Sequence, residues 1–134
     1  MINSVITGSG HYLPNRIVTN EHFIDYKFYD DNGEIIAKSG EEITRKFEDI
    51  TEIRERRYVE DDLNNSDIAT KAAKIAIEKA GIDPEELDYV ICAHNFGDID
   101  PVARQIDIMP SISAKVKHNL GIKNLKCKPY DMTF

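Results

Sequence analysis

Tryptophan is missing from these 134 residues, and cysteine occurs only at positions 92 and 127. Thiols so far apart, each inside an apolar run, match neither the disulfide framework of a small secreted domain nor the paired spacing of a zinc site. They are expected to be buried free thiols. Long apolar stretches are lacking too. Residues 89–93 form one of the longest and fall far short of the ~20 residues that cross a bilayer, so no membrane association is expected. The opening Met1-Ile2-Asn3-Ser4-Val5-Ile6 has no basic flank, extended apolar segment or small-residue cleavage site, which makes the cytoplasm the expected compartment. Positive charge is in deficit, with 17 Lys and Arg against 24 Asp and Glu and a formal net charge of −7. Neutralising phosphates requires clustered, unopposed cations, so nucleic acid is not an expected partner. The tail is locally basic through Lys115, Lys117, Lys123, Lys126 and Lys128, and a solvated helix end with its loop accounts for it better than a docking patch.

What is present is an ordinary globular composition, 41% hydrophobic, in a chain long enough for one core and too short for two domains of usual size. Residues 1–134 are therefore read as a single domain. Residues 4–9 are short and β-branched and leave through Gly8-Ser9-Gly10, which predicts a first strand. That Gly-x-Gly lacks the third glycine and the later acid of a dinucleotide fold. Thr19 is placed to cap a short helix carrying Phe23. Asp30-Asp31-Asn32-Gly33 is turn chemistry, and Ser39 with Glu42 has capping-box spacing for a helix ending near Thr51. Its apolar stripe is Ile43, Phe47 and Ile50. Residues 53–59 read as an extended edge segment.

The strongest pattern is the helix over residues 66–80, with Ser66 as cap, Asp67 in the first turn and Gly81 as the left-handed stop. Its inward stripe is mostly alanine, which implies close approach by neighbouring elements. Asp83-Pro84 begins one short turn, and residues 89–93 then read as a fully buried strand. The stretch 95–109 stays open, with Gly97 and Pro101 arguing for a loop and residues 102–108 offering only a fragment of helical pattern. From Pro110 a helical stripe returns through Ile112, Val116 and Leu120 and closes at Gly121, and a last strand covers 125–132. Helices alternating with strands predict an α/β sheet with helical layers and parallel neighbours.

Candidate chemistry is sparse. None of His11, His22, His94 and His118 has a Cys, Asp or Glu at ligand spacing, so no metal site is expected. His94 stands out among them because it follows a strand, and open α/β sheets bind ligands at the carboxyl ends of their strands. Asp98 and Asp100 form a conceivable acid/base pair, but their neighbours Gly97 and Pro101 make turn formation the better account. Arg54, Arg56 and Arg57 offer forked donors for a phosphate or carboxylate, and pairing with neighbouring acids explains them better.

Several segments, in order, resemble ketoacyl-(acyl carrier protein) synthase III of the thiolase superfamily. They are Gly8-Ser9-Gly10-His11-Tyr12-Leu13-Pro14 with Thr19-Asn20; Ile53-Arg54-Glu55-Arg56-Arg57; Ser66-Asp67-Ile68-Ala69 through Ala80-Gly81-Ile82-Asp83-Pro84; Leu87-Asp88-Tyr89-Val90-Ile91; Pro110-Ser111; and Leu120-Gly121-Ile122. The resemblance implies a thiolase-like α/β fold: the first half of a duplicated α-β-α layered architecture with a mostly parallel mixed sheet. It further implies a homodimeric enzyme of fatty acid biosynthesis that loads an acyl group from an acyl-CoA onto cysteine and condenses it with malonyl-(acyl carrier protein). Acyl-CoA and acyl carrier protein are the implied partners, with the coenzyme A thioester as substrate and no cofactor.

By the family's spacing the nucleophilic cysteine falls about two residues beyond Phe134, on the turn after the strand that contains Asp131, which matches that strand's usual acid. Cys127 is thus not the nucleophile, and the family's His and Asn come much later than this chain reaches. The 134 residues alone are expected to be inactive. Phe47 and Thr51 match substrate-binding positions. The family's coenzyme-stacking tryptophan near Lys46 and Phe47 is absent, and Ile50 stands where an arginine is usual. Residues 29–39 resemble an insertion. A hydroxymethylglutaryl-CoA synthase-like enzyme or a specialised ketosynthase shares most of these features. A non-catalytic thiolase-like dimerisation partner is the reading from a different class.

Overall fold

A computed structural model describes residues 3–99 and 105–134. In chain order its elements are β1 (Arg16–Thr19), α1 (Gly40–Thr51), β2 (Glu55–Tyr58), α2 (Asn65–Ala80), β3 (Tyr89–His94), β4 (Asp98–Ile99), β5 (Ile106–Asp107), α3 (Ile112–Asn119) and β6 (Lys128–Thr133), with single 3₁₀ turns at Asn20–Phe23 and Pro84–Glu86. They fall into two compact units, one of Met1–Leu13 with Asp61–Phe134 and the other of Pro14–Glu60.

In the smaller unit, β1 and β2 pair antiparallel with Arg16 opposite Tyr58 and Thr19 opposite Glu55. Thr19 precedes its 3₁₀ turn without capping it; its hydroxyl donates instead to Glu21 Oε2 at 3.1 Å. The Asp30 carboxylate accepts the Asn32 and Glu34 amides at 2.9 Å each, closing the turn that Gly33 completes at φ 79°. Ser39 caps α1 by accepting from the Glu42 amide at 3.2 Å, as its spacing predicts. The α1 stripe is graded: Ile43 is buried, Phe47 half-covered and Ile50 69% exposed.

The larger unit is built on β3 and β6, which run parallel in register from Tyr89–Lys128 to His94–Thr133. One face carries Val90, Cys92 and His94 toward the interior, while Tyr89 and Ile91 remain exposed. The expectation of a fully buried strand is corrected accordingly: β3 has one covered face, with α3 packed against the pair. Ile112 and Val116 of α3, each 2% exposed, and Cys127 form its core with Ile122.

Three further expectations change. Residues 4–9 form no strand, because a strand needs a ladder partner and none pairs with them among the described residues. Instead their glycines lie against α2: a Cβ on Gly8 would come within 2.4 Å of the Ala76 carbonyl oxygen, and one on Gly10 within 2.3 Å of that of Ala72. The alanine stripe of α2 thus does permit close approach, by a glycine backbone. The cap of α2 is Asn64 rather than Ser66; Asn64 and Asp67 form a reciprocal capping box, with the Asn64 amide donating to Asp67 Oδ2 at 2.9 Å. The last strand starts at Lys128, because the Asn124 side chain and carbonyl hold residues 124–127 in a turn.

The stretch 95–109 contains a small antiparallel pair, Asp98 opposite Asp107 and Ile99 opposite Ile106. Asp100 lies outside the described residues.

Candidate functional site

Toward the carboxyl end of the parallel pair, β6 places Asp131 opposite Cys92, two residues before His94 at the end of β3. His94 Nε2 is 2.9 Å from Asp131 Oδ2. The same carboxylate accepts the first backbone amides of α3, Ile112 N to Oδ2 and Ser113 N to Oδ1, both at 2.8 Å. These amides belong to a helix start, whose orphan donors and partial positive charge favour an anion. Burial works against the Asp131 charge, but the Ser113 side chain, His94 and the two amides outweigh it and hold the carboxyl at about 2, against an ordinary 3.8. Asp131 is therefore a fixed carboxylate at neutral pH and a poor proton donor.

That assignment settles the His94 tautomer. A carboxylate only accepts hydrogen bonds, so Nε2 carries the proton it donates. The His94 side chain is 10% exposed, and Nδ1 is buried with no hydrogen-bond partner among the described residues. Beside this group opens a cleft of about 390 Å³ whose lining includes His94, Phe96, Ile108, Ser111, Asp131 and Thr133. An apolar concavity with a few converging polar groups at strand ends is the usual form of a small-molecule site.

Asp98 is a clamp rather than a turn residue. Its oxygens accept the Ser66 amide at 2.8 Å and the Ser66 hydroxyl at 2.7 Å, and Lys115 Nζ lies 3.0 Å from Oδ2 and 2.7 Å from Asp107 Oδ2. Burial opposes ionisation of Asp98, and the bonds from Ser66 and Lys115 prevail, so its pKa is lowered. One residue thereby ties the start of α2 to β4, β5 and α3.

The remaining candidates fall in the smaller unit or stand alone. Phe47 meets Phe28 edge to face with centroids 5.5 Å apart. Thr51 Oγ1 donates to the Phe47 carbonyl at 2.6 Å and accepts from the Ile53 amide at 3.2 Å, closing α1. Arg54 pairs with Glu48 at 3.1 Å, Arg56 donates to Asn20 Oδ1 at 2.7 Å, and Arg57 pairs with Glu55 at 3.2 Å, so each guanidinium has an intramolecular partner. In the basic tail, Lys117 donates to the Asn124 and Cys127 carbonyls at 2.8 and 2.7 Å. Both cysteines are free; Cys127 is buried and Cys92 partly so. Burial, then the Asp131 charge, pushes the Cys92 thiol up. Among the described residues no cluster of three His, Cys, Asp or Glu could hold a metal, and no helix is long and apolar enough to cross a membrane.

Sequence spacing singled out His94 but not its bond to Asp131, 37 positions away. The only sequence signal available was that both lie at the ends of strand-like runs.

Solved structures show this α/β arrangement to be thiolase-type: 3-oxoacyl-[acyl-carrier-protein] synthase III from Aquifex aeolicus superposes with TM-score 0.67 at 26% identity, over 96% of this chain and 34% of that one. The priming β-ketosynthase of the R1128 polyketide pathway gives 0.69 at 26% identity, over 96% and 32%. Within that class the sequence is similar to β-ketoacyl-[acyl-carrier-protein] synthase III along nearly its whole length, being 36% identical to the Clostridium beijerinckii protein over 127 residues, 95% of this chain. The chain spans about a third of the length of the curated relatives it matches, 32% in that case. No protein-family model matches it.

Proposed function

We propose that this chain is the N-terminal part of a condensing acyltransferase of the ketoacyl synthase III type, which accepts an acyl group from a coenzyme A thioester and joins it to malonyl-(acyl carrier protein) with loss of carbon dioxide. The observation that carries this reading is the parallel β3–β6 pair, whose carboxyl end bears Asp131 and His94 beside an apolar cleft. A cysteine about two residues beyond Phe134 would leave the sheet at that end. A thiol on a strand-to-helix turn gains from the helix dipole, which lowers its pKa and supplies the thiolate that attacks a thioester. Sulfur bonds to the acyl carbon as coenzyme A leaves as its thiol.

In this reading the 134 residues alone are inactive, and the whole protein is a cytoplasmic homodimer. The half-covered Phe47 ring supplies an apolar contact for the coenzyme where relatives place tryptophan. Thr51, whose hydroxyl already closes α1, has less to offer.

The test is the intact mass of the full gene product after incubation with acetyl-CoA, followed by peptide mapping. An acyl adduct on a cysteine just past Phe134 is expected. No adduct with short or long acyl donors would replace this reading with a non-catalytic thiolase-like partner.

A further inference from the structure

We infer that His94 is a positioning residue for the proposed acyl transfer, acting through its Nε2–H bond to Asp131 to fix the end of β6 from which the nucleophile follows. The inference rests on the proposed function, but the residues that carry it are all in this chain.

Asp131 is the point where three elements meet. Its two oxygens take both leading amides of α3, and its Oδ2 also takes His94 from β3. The α3 bonds fix the carboxylate against the helix, and among the described residues the His94 bond is the side-chain contact that holds it to β3. In the ladder His94 pairs with Thr133 and Cys92 with Asp131, so the bond runs diagonally between pairs two residues apart on one face and adds to the ladder's resistance to sliding of β6 along β3. A nucleophile on the turn after such a strand has to be held within a fraction of an ångström, and loose support in the surrounding shell is paid in rate.

His94 Nδ1 is buried and has no hydrogen-bond partner among the described residues. The bond to Asp131 is the hydrogen bond this imidazole makes among the described residues. An Nε2–H donor persists whether the ring is neutral or protonated, so the lock needs no change of protonation during the reaction.

The test measures acylation of the full gene product by acetyl-CoA at several pH values for wild type, His94→Ala and His94→Gln, each normalised to its folded fraction by circular dichroism. Glutamine keeps an N–H donor near the Nε2 position and lacks a titrating ring. Loss of the donor in His94→Ala is expected to slow acylation about tenfold to a hundredfold at unchanged KM, with His94→Gln within about threefold of wild type and sharing its pH profile. Should His94→Ala acylate at the wild-type rate, the positioning role is wrong. Should His94→Gln be as slow as His94→Ala, or lose an ionisation from the pH profile, the ring itself acts as acid or base and the inference also fails. Wild type that forms no adduct removes the proposed function, and with it this role; an active wild type with an unaffected His94→Ala removes this role alone.

Discussion

Asp131 and Ile112 lie 19 positions apart in sequence, yet the Ile112 amide donates to the Asp131 carboxylate at 2.8 Å. A strand residue therefore serves as the anion at a helix start, alongside the local Ser111 cap that takes the Ala114 amide at 3.3 Å. The arrangement makes several outcomes measurable.

Replacing Asp131 by alanine leaves two helix-start amides and His94 without their acceptor. Loss of a cap and of charge-assisted bonds in a largely buried place should cost about 2–3 kcal/mol, read from urea denaturation. Asp131→Asn keeps one acceptor oxygen and should cost about half as much. A change below about 0.5 kcal/mol in Asp131→Ala would show the contacts to be energetically idle.

Acid should weaken the larger unit through the same residue. The folded pKa of Asp131, about 2, lies below its ordinary 3.8. Its contribution is therefore complete above pH 3.8 and fades as pH falls toward 2. The shift corresponds to about 2 kcal/mol. Asp98, also lowered, contributes with the same sign. Urea midpoints measured at intervals down to pH 2 should fall steeply in this window for wild type and less steeply for Asp131→Asn; equal slopes would assign the acid sensitivity elsewhere.

Gly10 touches the backbone of α2 so closely that a Cβ would meet the Ala72 carbonyl oxygen at 2.3 Å and the Ala76 nitrogen at 2.6 Å. Both are backbone atoms of one helix and cannot rotate away. Gly10→Ala should lower stability by about 1–3 kcal/mol as residues around position 10 lift from the helix. Faster amide exchange across that segment would accompany the loss, and an unchanged melting temperature would contradict the close approach.

The two thiols should differ in reactivity. Cys127 is 1% exposed and should react with a thiol reagent only on unfolding. Cys92 is partly buried, and burial together with Asp131 raises its pKa, so its labelling should be slow at neutral pH and accelerate in alkali. Rapid labelling of either cysteine in the native chain at pH 7 would be inconsistent with this packing.

Local chemistry made much of this architecture legible before any coordinates. Ser39 and Asp83 announced a helix and a turn start because a short polar side chain can satisfy the next free amides by itself. Gly33, Gly81 and Gly121 marked left-handed positions, where a side chain is strained. The alanine face of α2 announced a close neighbour. Residues 4–9 misled because β-branched composition describes a strand's surface and not whether a partner strand is present. Ser66 misled because its hydroxyl suits a cap equally well, while the distant Asp98 claimed it.

The sequence by itself determined the alternation of helices and strands, the α3 core positions and the resemblance to ketoacyl synthase III, since periodicity, caps and motifs are properties of neighbours along the chain. Only the tertiary structure decided that His94, Asp131 and the start of α3 form one group, and that Asp98 is a clamp rather than a turn. Those bonds join residues that are distant along the chain. The hydrogen bonds from Ser113, Ile112 and His94 form only after folding has brought these residues together; they outweigh burial to keep Asp131 charged, and the carboxylate in turn fixes the proton on His94 Nε2.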